Sequence, residues 1–240
     1  MKTADRHIEL LLPGLQGPSS DRPVGDYLER RPPALDRLLS RAQPGHLAGH
    51  GLDATLLTLF GLDPATPVAP LCYAADTGQP PEGYVMRADP VHLRADQSSL
   101  RLFESHSFPV TRQEADALVA AFNAFYEERG WALVAPHPQR WYLLTDRAPA
   151  VEMTPPTDVA GEDIQAALPR GADAAGWHAL LNEVQMLFHA QEVNRLREQQ
   201  GQPLINSIWP WGGGMMPAAG RPPARRILTD NPLARALAGT

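Results

Sequence analysis

Apolar residues recur along this chain in two rhythms. Ala115, Leu118, Val119, Phe122 and Phe125 share one face at helical spacing. Thr111-Arg112-Gln113-Glu114 precedes them as a capping box, a hydroxyl at the N-cap and a carboxylate three residues on, and Gly130 is the stop. A second stripe, Trp177, Leu180, Leu181, Val184, Leu187, Phe188 and Gln191, predicts one long helix over 174–200 that ends at Gly201. Short apolar runs predict strands at 7–12, 90–94, 100–104, 131–135 and 141–145. The pair 90–94 and 100–104 flanks a polar Ala95–Ser99 stretch and reads as a hairpin with a longer loop. Shorter helices are expected at 33–42 and 53–60, the second with Asp53 as N-cap and Gly61 as stop. Another closes the chain, with Asn231 as N-cap and Pro232 at the first helical position. Residues 63–70 are punctuated by proline.

Strands and helices alternate from 85 to 210, which predicts an α/β or α+β fold with a mixed sheet. The hairpins argue against an all-parallel sheet. Composition adds the outer boundaries. Proline, at 25 of 240 residues, is about twice as frequent as usual. It concentrates in 13–90, at Thr154-Pro155-Pro156 and after Met216, so the regular core lies between. The organisation expected is an N-terminal segment 1–70 leading into or packed on a main domain 71–217, then a mobile Pro/Arg-rich tail 218–240. The single cysteine, Cys72, excludes an internal disulfide scaffold and a Cys-rich zinc module.

The formal net charge is −6 and Lys2 is the only lysine. An acidic chain of this kind is not a general nucleic-acid binder. No run approaches the ~18 apolar residues of a membrane span, and the apolar run at 8–12 is too short for a signal peptide, so a cytoplasmic protein without a membrane partner is expected.

The most unusual segment is Asn206-Ser207-Ile208-Trp209-Pro210-Trp211-Gly212-Gly213-Gly214. Its glycines allow positive φ and close approach to the backbone, and exposed N–H groups in such a turn hold anions. Alternatively, the indoles fill the core and the glycines form a tight turn. No Gly-Lys-Ser/Thr follows, so this is not a nucleotide-binding P-loop, and no cofactor is expected. His189 and Glu192 have the i, i+3 spacing of two metal ligands, but no third ligand accompanies them and no metal site is assigned. His46, His50 and Asp53 have metal-like spacing in a stretch too glycine-rich for a regular helix. Ser105, His106 and Ser107, read as a strand, place hydroxyl and imidazole on opposite faces. Glu183 and Gln185 read as a polar helix edge.

A resemblance rests on an ordered set of motifs: Arg140-Trp141-Tyr142-Leu143, Thr154-Pro155-Pro156-Thr157-Asp158-Val159-Ala160-Gly161, Leu168-Pro169-Arg170-Gly171, Asn182–His189, Val193–Arg197 and Asn206–Gly214. Across 85–217 the chain resembles the bacterial RpfE-type regulatory proteins, which are similar to cofactor-independent phosphoglycerate mutases. The stretch 189–214 also resembles part of the substrate-handling domain of archaeal-type mutases. The resemblance implies that Arg140, Asn194, Arg197 and Asn206 face a phosphorylated small molecule. His189, Trp209, Trp211, Gly212, Gly213 and Gly214 complete the implied ligand-binding set. Such mutases use a two-metal centre of several Asp and His and a phosphorylated serine. Here Pro13-Gly14 follows the first expected strand where Asp-Gly opens the family's fold, and Trp211 stands where an arginine is expected. The sequence runs only to Thr240, which leaves no downstream ligand cluster. The expectation is therefore a regulatory or metabolite-binding protein for a small anion, without complete mutase chemistry. The alternatives are a metal-dependent phosphoryl-transfer enzyme and a protein-interaction module that binds a protein partner through its tail.

Overall fold

The computed structural model describes residues 8–12, 33–43, 45, 51–96 and 99–239. The helices are α1 (Pro33–Leu39), α2 (Gly51–Leu59), α3 (Val68–Thr77), α4 (Arg112–Tyr126), α5 (Ala174–His189), α6 (Glu192–Gln199) and α7 (Pro232–Gly239). The strands are β1 (Tyr84–Asp96), β2 (Ser99–Glu104), β3 (Ala132–His137), β4 (Arg140–Thr145), β5 (Val151–Glu152), β6 (Arg170–Gly171) and β7 (Ser207–Gly214).

β1 organises the sheet. Its first half pairs β4 and its second half β2, with β3 beyond β4, while β7 pairs β1 over residues 85–91. Every ladder is antiparallel, so the mixed sheet expected from the sequence is an antiparallel one and the architecture is α+β. The pleat sorts β1 cleanly. Val85, Val91 and Leu93 join a cluster with α2, α3 and α7, whereas Met86 and Ala88 join one with α4 and α5. The sheet is thus the middle of three layers.

Local chemistry explains the elements. Thr111 and Glu114 form both bonds of the capping box, and Gly130, at φ +65°, ends the turn after α4. The buried stripe is Ala115, Leu118, Phe122 and Tyr126; Phe125, expected inside, is 58% exposed because the face is centred one position further round. The hairpin of β1 and β2 forms as read, but β1 begins six residues before the expected Pro90. The proline-punctuated stretch contains the start of α3, since prolines in a first turn lose no helical hydrogen bond. Asp53 lies in the first turn of α2 and is not its cap.

The single helix expected at 174–200 is two. Gln191 is extended (ψ 144°) and separates α5 from α6. The buried Asn194 side chain secures the break: its amide donates to Phe188 O and Ile205 O (2.8 and 2.9 Å) and its carbonyl accepts from Ile205 N–H (2.8 Å). Residues 8–12, expected as a strand from 7, carry no regular secondary structure, and Ile8 is exposed; His7 lies outside the described residues. In the expected tail, Asn231 caps α7 through Ala234 N–H (2.9 Å), and Leu233, Ala234, Ala236 and Leu237 are buried with α2 and α3. Among the described residues no helix is long and apolar enough to cross a membrane.

Candidate functional site

The α3-facing side of the sheet carries a charged layer inside an apolar surround. Arg87 on β1 stands directly opposite Trp211 of β7 on one side and Tyr142 of β4 on the other. Cross-strand partners point to the same face, so the register itself stacks the guanidinium between two rings, with Cζ 5.2 Å from the Trp211 centroid and 5.4 Å from that of Tyr142. Two residues along the same face, Asp89 accepts from Arg87 Nε and Nη2 at Oδ1 (3.1 and 2.6 Å). Asp89 also accepts from Trp141 N–H at Oδ1 (3.3 Å) and from Trp211 Nε1 at Oδ2 (2.8 Å). Arg87 and Asp89 are both buried. Burial disfavours the Arg87 cation, but the Asp89 carboxylate outweighs this and holds its pKa above the ordinary value.

A second guanidinium meets the same layer. Arg140 precedes Tyr142 by two residues on β4 and shares its face. Arg140 Nε and Nη2 donate to the two oxygens of Asp76 (2.8 and 2.7 Å), and Tyr142 OH donates to Asp76 Oδ2 (2.7 Å). Asp76 lies in the last turn of α3, so this carboxylate pins the helix to the sheet. Burial alone would raise the Asp76 pKa; hydrogen bonds from Arg140 and Tyr142 and the Arg140 charge bring it below the usual value. Burial dominates at Tyr142 and raises its pKa, which leaves the phenol neutral as a donor. His137, opposite Arg140, is shifted down by burial and by the Arg140 charge. Asp53 of α2 faces the layer from the helix side; burial raises its pKa and Arg87 only partly opposes that.

The residues of the expected ligand set divide between the two faces. Arg140, Trp209 and Trp211 belong to the α3 side; Trp209 is buried and donates its indole N–H to Thr154 O (2.8 Å). The segment expected as a glycine turn is strand β7, and only Gly212 in it has positive φ (+62°). Its glycines admit neighbours: a Cβ would lie 2.6 Å from Val68 Cγ2 at Gly212, 2.5 Å from Tyr84 OH at Gly213 and 2.2 Å from Pro67 Cγ at Gly214. They let α3 and Tyr84 close on the strand, which corrects the reading of a backbone open to an anion.

Arg197, grouped with Arg140 in the implied ligand set, is buried on the α4 side instead. It donates to Pro203 O (2.6 Å), Pro109 O (3.1 Å from both Nη1 and Nη2) and Glu114 Oε1 (2.8 Å). Asn206 accepts from Leu93 N–H and donates to Leu93 O (2.7 and 2.8 Å), extending the β7 ladder with a side chain. Asn194 closes the helix break described above. His189 ends α5, and the break separates it from Glu192, so their i, i+3 helical spacing is lost. An open cleft of about 220 Å³ at that break includes His189, Gln191, Asn194 and Glu198 beside the exposed Glu192–Arg195 pair, a mixture of both signs. Among the described residues no group of three or more His, Cys, Asp and Glu is arranged to hold a metal ion. His46 and His50 lie outside the described residues. Ser105 to Ser107 form a 3-10 turn, not a strand, and Ser105 donates to Gln139 O (3.1 Å). Glu183 accepts from Tyr126 OH (2.8 Å).

Sequence reasoning missed Arg87, Asp89 and Asp76. The signal for the first two is an Arg-x-Asp pair in phase with Val85, Val91 and Leu93, which places both charges on a core face. Asp76 has no such signal, because its role depends on the packing of α3 against β4.

No protein-family model matches the chain. In sequence it is similar to the 2,3-bisphosphoglycerate-independent phosphoglycerate mutase of Methanosarcina acetivorans, 27% identical over 202 residues that cover 78% of this chain and 49% of that protein. It is also similar to the 2,3-bisphosphoglycerate-independent phosphoglycerate mutase 2 of Methanothermobacter thermautotrophicus, 28% identical over 175 residues, 70% of this chain and 42% of that one. Among solved structures, the cofactor-independent phosphoglycerate mutase of Thermoplasma acidophilum aligns with a TM-score of 0.48 and 17% identity over 70% of this chain and 48% of its own. The chain therefore spans about half the length of the mutases it matches, and it resembles a part of those proteins.

Proposed function

We propose that this phosphoglycerate mutase-like chain binds a small phosphorylated or carboxylated metabolite on the α3 side of its sheet, in a regulatory role of the RpfE type. The observation that carries the reading is the gathering of two guanidiniums, Arg87 and Arg140, around one side chain, Tyr142. Arg140 is held in a fork-to-fork pair by Asp76, the geometry in which arginine recognises a planar oxyanion. In this state the Asp76 carboxylate occupies the position of the ligand's anionic group. A ligand oxyanion takes over the donors of Arg140 and Tyr142 when Asp76 withdraws.

Calorimetric titration with 3-phosphoglycerate, with inorganic phosphate as the simpler probe, tests this. Arg140→Ala is expected to weaken binding at least about tenfold, the usual loss for a charge-assisted pair. Asp76→Ala, by removing the internal competitor, tightens it. Absence of binding by either probe at millimolar concentration, or an Asp76→Ala variant that binds more weakly, defeats the proposal.

A second reading takes the matched relatives' names as its support: the chain is itself a phosphoglycerate mutase-like enzyme, with metal-dependent phosphoryl transfer as its chemistry. Manganese-dependent turnover of 3-phosphoglycerate by this chain, lost with Asp or His substitutions, supports it over the first.

A further inference from the structure

The charged layer is sealed by α3, and α3 is itself held from outside. α7 buries Leu233, Ala234, Ala236 and Leu237 in the cluster formed with α2 and α3, and packs on those two helices. The segment leading to it is tied to the end of α2 by a backbone hydrogen bond from Arg221 N–H to Phe60 O (2.7 Å). Over 221–230 the chain has no regular structure, and only Ile227 is drawn against the core. A helix of eight residues has too few hydrogen bonds to persist once detached, so detachment and melting of α7 are one event.

We infer that α7 is a strap that opens independently of the sheet core and sets how often α3 lifts from the layer of Arg87, Asp89 and Arg140. The strap is inferred from the packing of α7 on α2 and α3; its consequence for ligand entry rests on the anion site proposed above. Asp76, the group that must withdraw for a ligand, is on α3, and α3 bears the main contact with α7. Fastening and ligand gate are thereby joined through one helix.

The molecule contains its own reporter. Cys72 is the only cysteine; it lies in α3 with its thiol buried on the core side. Burial pushes that thiol up to about 11. It reacts only when α3 opens, and its labelling rate measures the open population.

The experiment uses the full chain. Leu233→Ala/Leu237→Ala is compared with the parent protein for Cys72 labelling by an aromatic disulfide reagent and for amide hydrogen exchange. Labelling is expected to rise at least about tenfold, because two truncations of buried leucines weaken the interface by more than that factor. Exchange should quicken in 68–77 and 232–239 while 112–126 and 174–189 stay protected. An unchanged labelling rate overturns the strap. So does loss of protection in α4 and α5 together with α7, which would make the structure one cooperative unit. Should the double variant fail to fold, native-state exchange of the parent protein decides: α7 amides must exchange faster than those of α4 and α5, and equal rates overturn the inference. Titration of the variant with 3-phosphoglycerate separates the two claims, since faster labelling without binding retains the strap and removes only the anion site.

Discussion

The sheet buries one arginine under each of its faces, and it holds them by opposite means. Arg197, on the α4 side, gives hydrogen bonds to two proline carbonyls and to Glu114. Most of its acceptors are backbone atoms of loops that the arginine itself ties down. Arg87, on the α3 side, has one acceptor group, the Asp89 carboxylate, and two aromatic walls. A cation bound mainly to backbone is a fixed joint, because carbonyl groups neither titrate nor rotate away. A cation bound to one carboxylate between rings has a partner that another anion can replace. The α4 side is therefore held through main chain and the α3 side through side chains, and the α3 side is the face on which the proposed anion site depends.

Removing each arginine's function should separate the two designs. Arg197→Ala leaves the Pro109 and Pro203 carbonyls and Glu114 Oε1 without the arginine donor, while Glu114 Oε2 keeps its bonds from Thr111. The expected loss is about 4 kcal/mol of stability in urea denaturation. Arg197→Lys should recover little, since one ammonium cannot reach the same spread of acceptors. No second substitution can restore the balance, because the orphaned acceptors are mainly main chain. Recovery of more than half the loss by lysine would contradict the fixed-joint description.

On the other face a partner can be changed together with the cation. Asp89→Ala strands a buried guanidinium and should cost about 3 kcal/mol. Combining Arg87→Met with Asp89→Asn removes both charges, keeps an acceptor for the indole N–H and should regain more than half of that loss. Equal instability of the double variant and Asp89→Ala would show that Arg87 is as deeply built in as Arg197.

This contrast also marks what the sequence could convey. The capping box at Thr111, the hairpin of β1 and β2 and the glycine stops were legible because each depends on residues close in the chain. The break at Gln191 was not, since it is fixed by Asn194 reaching Ile205, a residue outside the helix. From sequence the three glycines of β7 suggest a turn or an anion-holding backbone; they instead clear space for Val68 and Pro67, distant neighbours that leave no local pattern. The resemblance to phosphoglycerate mutases agrees with the relatives found by sequence. It also grouped Arg197 and Asn206 with Arg140, although the folded chain puts their donors into separate internal contacts. Arginines that bind a ligand and arginines that bind the backbone look alike until the partners are known.

A smaller effect tests how far the Arg87 layer relies on its walls. Trp211→Phe keeps an aromatic face near the guanidinium and removes the indole donor to Asp89 Oδ2. The expected loss is about 1 to 2 kcal/mol, the scale of one hydrogen bond to a charged group. Trp209→Phe, which removes a donor to the neutral Thr154 carbonyl, should cost less. Reversal of that order would mean that Asp89 does not depend on the indole.

The smallest expected difference is in acid. Burial raises the pKa of Asp76 and of Glu114, but hydrogen bonds and a neighbouring arginine outweigh it in both, so each folded-state pKa lies below its ordinary value. A depressed carboxylate pKa stabilises the fold fully above the unfolded value of about 4, and that contribution is lost as pH falls through the folded value. Both faces should therefore weaken between about pH 5 and about pH 3, each by about 1 kcal/mol or less. The two carboxylates differ in what they leave behind. When Glu114 is protonated, Arg197 retains Pro109 and Pro203 as acceptors; when Asp76 is protonated, the one group that accepts both Arg140 hydrogen bonds loses its charge. Asp76→Asn should consequently flatten the acid limb of a stability–pH curve more than Glu114→Gln does. If Glu114→Gln flattens it more, the exchangeable charge lies on the α4 side, and the assignment of the two faces is inverted.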